Sequence, residues 1–157
     1  MGDRQFVVLM GGLHIEMVML NVIGNFLEGN GWVHVMTSEN VITEGRAFGL
    51  QKGSHISRAQ WAHQVTAAAL FVVLRRSYDA YHIMTPSSEK LDFDVWCKDM
   101  ASDHPQFYYW YQILQLELLF LQFLRSQQEG QFEVYVESLG KSFHGCSPLI
   151  STTMQDG

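Results

Sequence analysis

The chain has 157 residues, of which 47% are hydrophobic and 13% aromatic, and ten Lys and Arg stand against sixteen Asp and Glu for a formal net charge of −6. Such a length supports one domain with a real core, the apolar content excludes a wholly disordered chain, and the acidic balance excludes a surface that grips nucleic acid all over. The charge is uneven, however. From Gly45 to Tyr78 there is no Asp or Glu, while Arg46, Lys52, Arg58, Arg75 and Arg76 give +5 and the remainder carries −11. A 45–78 segment of this kind can meet phosphate; equally, it can dock on the acidic remainder or on another chain.

In chain order, "QFVVLM" (5–10) is a continuous apolar run ended by Gly11-Gly12, the pattern of a short buried strand. From Leu13 the period changes to helical. His14, Asn21, Asn25 and Glu28 fall within about 60° on a helical wheel, and apolar residues cover most of the rest. This predicts a largely buried helix, closed by the glycines of "EGNG" (28–31). Strand, glycine turn and buried helix together read as one unit of an α/β layer. Residues 32–56 read as a loop with a helical turn near 39–44.

Ser57 is a natural N-cap for a long helix reaching about His82, and Pro86 prevents its continuation. "LDFDVWCKDMAS" predicts a short helix with Phe93, Trp96, Cys97 and Met100 on one side. Pro105 then opens a helix through "PQFYYWYQILQLELLFLQFLRSQQ". Its "FYYWY" start suits core filling and a partner surface better than base stacking. "FEVYVESL" fits a helix somewhat better than a strand, and the tail 141–157 reads as flexible. The expected organisation is a single domain over 5–140, mainly α with a minor β element, with long amphipathic helices packed on a short N-terminal strand.

Three titratable residues oppose their helix faces. Glu16 lies about 150° from the wet stripe of the first helix. His63 stacks with Ala67, Leu70, Leu74 and Tyr81, away from the stripe of Gln60, Gln64, Arg75, Asp79 and His82. Glu117 sits opposite Gln112, Gln115, Gln122, Ser126 and Glu129. An unpaired buried carboxylate is costly, so such groups are paired, protonated or metal-bound. Convergence of Glu16, His63 and Glu117 would make a divalent-metal set, Mg or Mn, with Glu16 and Glu117 as catalytic acids. The plainer alternatives stay open: Glu16 favoured by free N–H groups of a first helical turn, and His63 as a satisfied core histidine. His14 and Glu16, two apart, point about 200° apart on a helix and do not grip one ion together. Arg46, Lys52 and Arg58 are the binding candidates of the basic segment.

Cys97 and Cys146 stand far apart with no paired spacing, which argues for reduced thiols and against zinc. No GxSxG, Walker loop or GxGxxG occurs. "MGDRQFVV" lacks a leader pattern, and no run of about 18 uncharged apolar residues exists, so no membrane role and an intracellular setting, cytoplasmic or nuclear, are expected.

At "VVLMGGLHIEMVMLNVIGNFLEGNGW", "SRAQWAHQVTAAAL" and "PQFYYWYQILQLELLFLQFLRS" the chain resembles a family of repetitive, transposon-like open reading frames whose function is uncharacterised. The likeness covers roughly residues 5–140. Longer members look like cut-and-paste transposases with an RNase H-like core, which holds two divalent metals on carboxylates. The resemblance implies an α/β (RNase H-like) fragment in which Glu117 matches the helical acid. Gly11 and Gly12 stand where a strand-end acid is expected, and the upstream acidic strand is not included. What it implies is therefore a transposase-derived fragment, not catalytically competent alone. The rivals are a helical protein–protein interaction module, which binds a partner or itself through exposed apolar helix faces, and a divalent-metal nucleic-acid hydrolase or transferase.

Overall fold

The computed structural model describes residues 11–43, 56–87 and 89–130. Among these residues the protein is entirely helical: α1 (Gly12–Leu27), α2 (Trp32–Ser38), α3 (Ile56–Met84), α4 (Phe93–Asp103) and α5 (Pro105–Glu129). This corrects the α/β expectation. The described chain contains no strand and no sheet, and its long helices pack on one another in a bundle-like arrangement. The RNase H-like reading falls with it, since that architecture requires a central sheet. The run 5–10, the segment with Arg46 and Lys52, and residues 131–157 lie outside the described residues.

The α/β reading leaned on Gly11-Gly12 as a tight turn, but Gly11 has ordinary extended backbone (φ −57°, ψ 139°) and simply precedes α1. Gly12 instead faces the side chain of Gln127. A Cβ there would sit 2.2 Å from Gln127 Nε2 on α5. The turn geometry lies further on: Gly29 and Gly31 both have positive φ, 74° and 77°, in the turn between α1 and α2. The segment read as a loop from 32 begins as helix α2, because Trp32 and Met36, four apart, both insert into the core.

The central element is α5. Gly12 meets Gln127 at one end, and Tyr109 donates a hydrogen bond to the Phe26 carbonyl at the other, so α1 runs antiparallel to α5. On another flank His63 meets Glu117, and Leu74 packs with Leu114, which makes α3 antiparallel to α5 as well. Glu16, Leu20, Ile23 and Leu27 form the inward stripe of α1 at three- and four-residue spacing. Its apolar members, Leu20, Ile23 and Leu27, join Ala59 and Ala62 of α3 and Ile113, Phe120 and Phe123 of α5 in the main core. A second cluster sits on Tyr78, Trp96, Cys97 and Leu114, where α4 closes the far end. Full burial of each large apolar side chain contributes roughly 1.5–3 kcal/mol.

Two surface readings are also corrected. Leu13, Met17 and Val18 of α1 are substantially exposed, so that helix is less enclosed than its composition suggests. Ser126, placed on the wet side of α5, is buried and donates to the Phe123 carbonyl. No helix among the described residues is long and apolar enough to cross a membrane.

Candidate functional site

Small residues bring α3 against α5. Ala59, Ala62, Thr66 and Ala67 keep the inner side of α3 low, and the imidazole of His63 rises from among them. Facing it, Glu117 projects from α5 one turn before Phe120. Both His63 and Glu117 are completely buried. His63 Nδ1 lies 2.8 Å from Glu117 Oε1 and 3.0 Å from Oε2, so a proton is held between the ring and the carboxylate.

Aromatic rings enclose this pair. Trp32 stacks on the imidazole at 5.5 Å between centroids, and Phe120 meets it edge-on at 5.9 Å. The Trp32 indole N–H donates to Thr66 Oγ1 at 2.8 Å, and the Thr66 hydroxyl donates to the Ala62 carbonyl, which fixes the stacking ring. His63 Nε2 is buried without a hydrogen-bond partner. Burial pushes the Glu117 carboxyl above its ordinary value, and the hydrogen bond and charge of His63 only partly oppose that rise.

Glu16 is buried at the α1–α3 contact, where Gln60 Nε2 donates to its Oε1 at 2.6 Å. It lies beyond the first turn of α1, which holds no acidic residue, so the neighbouring amide and not the helix N-terminus satisfies it. Gln60 precedes His63 by three positions on α3, which puts the two buried polar contacts about one helical turn apart. Arg58 is exposed on α3.

The structure thus joins His63 to Glu117 and gives Glu16 a separate partner. Among the described residues no group of three or more His, Cys, Asp or Glu side chains is placed to hold a metal ion. The donor set also misfits Mg or Mn chemically. Those ions take several oxygen ligands and retain waters, whereas one imidazole and one carboxylate here are walled by Trp32 and Phe120. Chemically, the arrangement can hold a proton in the interior and lock two helices in register.

Trp32, Gln60 and Thr66 were not foreseen as parts of this site. Trp32 stood in the segment read as a loop, and Thr66 was lost in a run of alanines. A signal for both exists in hindsight: a buried indole N–H requires an acceptor, and a threonine on the inner side of α3 is the nearest one.

The molecule also carries an open groove of about 600 Å³ between the C-terminal half of α3 and the start of α5. Leu70, Val73 and Leu74 line one wall, Phe107, Trp110 and Tyr111 the other, with Ser77 and His104 as polar points.

In comparisons with known proteins, no family model matches the chain, and neither a curated protein nor a solved structure matches it.

Proposed function

We propose that this chain is a helical protein–protein interaction module, derived from a transposon-like reading frame and without catalytic activity of its own. The reading is carried by the outer side of α3. This helix of 29 residues seals its inner side in the core, yet on its outer side Trp61 is 50% exposed and Val72 44%. Large apolar side chains repeated along the outside of one long helix are the mark of a contact surface. The buried polar groups support the same reading from the other direction. His63 and Glu117 are enclosed and hold the scaffold, so they present nothing to a substrate.

The test is site-specific photo-crosslinking of the full chain in cells. A photoreactive residue in place of Val72 should give discrete adducts that disappear when Trp61→Glu is added. The same residue in place of Gln128, exposed on α5, should give none. Equal labelling from the two positions removes the reading.

A further inference from the structure

The outward stripe of α3 has a symmetry that its composition hides. At about 100° per residue, Arg58, Trp61, the half-buried Val65, Ala68, Ala69, Val72, Arg76 and Asp79 share one side of the helix, nearly opposite the buried His63 and the half-buried Leu70. When a second α3 is laid antiparallel across the first, with the crossing between Ala68 and Ala69, position i faces position 137 − i. Ala68 then meets Ala69, and these small side chains let the backbones approach. Val65 meets Val72. Trp61 meets Arg76, an indole beneath a guanidinium, which is a favourable cation–π arrangement. Arg58 meets Asp79, an ion pair of opposite charge at each end.

Every one of these matches occurs twice, because a two-fold axis relates the copies. A register shifted by one turn places Arg76 toward the apolar Val65 and leaves Asp79 facing Ala62, which is buried in the core. Asp79 already pairs with Arg75 of its own helix at 3.2 Å, with both side chains more than half exposed. Its carboxylate keeps acceptor capacity for a second guanidinium.

We infer that the outer side of α3 is an antiparallel homodimer interface, and that the partner of this module is a second copy of the chain. This inference rests on the proposed function and assigns its occupant. A single helix pair contributes less contact than a standard protein–protein interface, so association is reversible, with a dissociation constant in the range of about 1–100 μM.

Sedimentation velocity on the purified full chain from about 1 to 300 μM should follow a monomer–dimer equilibrium. Trp61→Glu and Val72→Glu, both on the solvent side, should weaken it at least about tenfold while circular dichroism stays unchanged. Arg58→Asp and Asp79→Arg should each weaken it, and the two combined should restore it, because both symmetry-related ion pairs are then rebuilt with reversed sign. A chain that stays monomeric throughout, or a double reversal that fails to restore association, overturns the homodimer. Such a result together with Val72 crosslinks to a protein of different mass removes the second copy and keeps the interaction module. Absence of both dimer and crosslinks removes the two together.

Discussion

His63 on α3 and Glu117 on α5, 54 positions apart in the chain, form a buried bond in which one ring nitrogen sits between two carboxylate oxygens at 2.8 and 3.0 Å. The pair bridges α3 and α5 among the buried alanines Ala59, Ala62 and Ala67, so it acts on helix register as well as on stability. Loss of one member strands the other in a dry interior, whereas loss of both removes the need for a partner.

A double-mutant cycle makes that asymmetry measurable. Glu117→Leu and His63→Leu should each destabilise the protein by about 3 kcal/mol in urea unfolding. The double variant should cost well below the sum, with a coupling of about 1–3 kcal/mol. Glu117→Gln should be the mildest single change, because its amide oxygen still accepts from Nδ1–H. Strict additivity of the two leucine substitutions would contradict a shared proton.

The raised pKa of Glu117 gives stability a definite pH dependence. The folded state holds this proton more tightly than the unfolded chain, whose carboxyl titrates near 4.5. The contribution is therefore fully present below 4.5 and declines as pH rises from there through the higher folded-state pKa. The melting temperature should fall between mildly acidic and neutral pH more steeply for the wild type than for Glu117→Gln. Parallel profiles for the two would refute the assigned protonation.

Glu16, His63 and Glu117 were legible in the sequence as buried because each opposes the polar stripe of its own helix, and all three are buried. Their partners were not legible. Helical periodicity reports which side of a helix turns inward and says nothing of which helix lies across from it, so Gln60 was read as part of the polar stripe although it reaches Glu16. The α/β reading rested on local cues: the apolar run 5–10 and the glycine pair that ends it. The loop reading from residue 32 is overridden by Trp32 and Met36, whose four-residue spacing buries the indole and the thioether on one side of α2. The limits of α3 and α5 were read to within about two residues, since Pro86 and Pro105 mark them chemically.

The contact between Glu16 and Gln60 ties α1 to α3. Glu16→Ala leaves the half-buried Gln60 amide without its acceptor and should cost about 1 kcal/mol. Glu16→Gln retains an amide oxygen at the same reach and should cost less than half as much. Equal losses from the two substitutions, read by thermal unfolding, would mean that the carboxylate charge matters and the hydrogen bond does not.

Divalent metal should leave the protein unchanged. The His63–Glu117 pair is enclosed by Trp32 and Phe120, and Glu16 is engaged elsewhere, so no set of oxygen ligands opens to solvent among the described residues. Calorimetric titration with Mg2+ or Mn2+ should give only heats of dilution, and the melting temperature should not move. A rise in melting temperature that saturates with Mn2+ and vanishes in Glu117→Gln would reinstate a metal centre.

Cys97 lies fully buried on α4, where the neighbouring Tyr111 hydroxyl favours the thiolate while Asp94 adds a repelling negative charge. Burial is the larger influence and pushes the thiol above its ordinary value, against the lowering effect of Tyr111. Reaction with a thiol reagent proceeds through the thiolate, which is both scarce and enclosed here. In a Cys146→Ser background, Cys97 should react at least about 100-fold more slowly than a free thiol at mildly alkaline pH. The rate should climb only as denaturant opens the cluster of Tyr78, Trp96 and Leu114 around it. Fast labelling of the native protein would show instead that α4 separates readily from α5. That would make the second core a mobile cap on the bundle, with the main core of α1, α3 and α5 as the firmly closed part among the described residues.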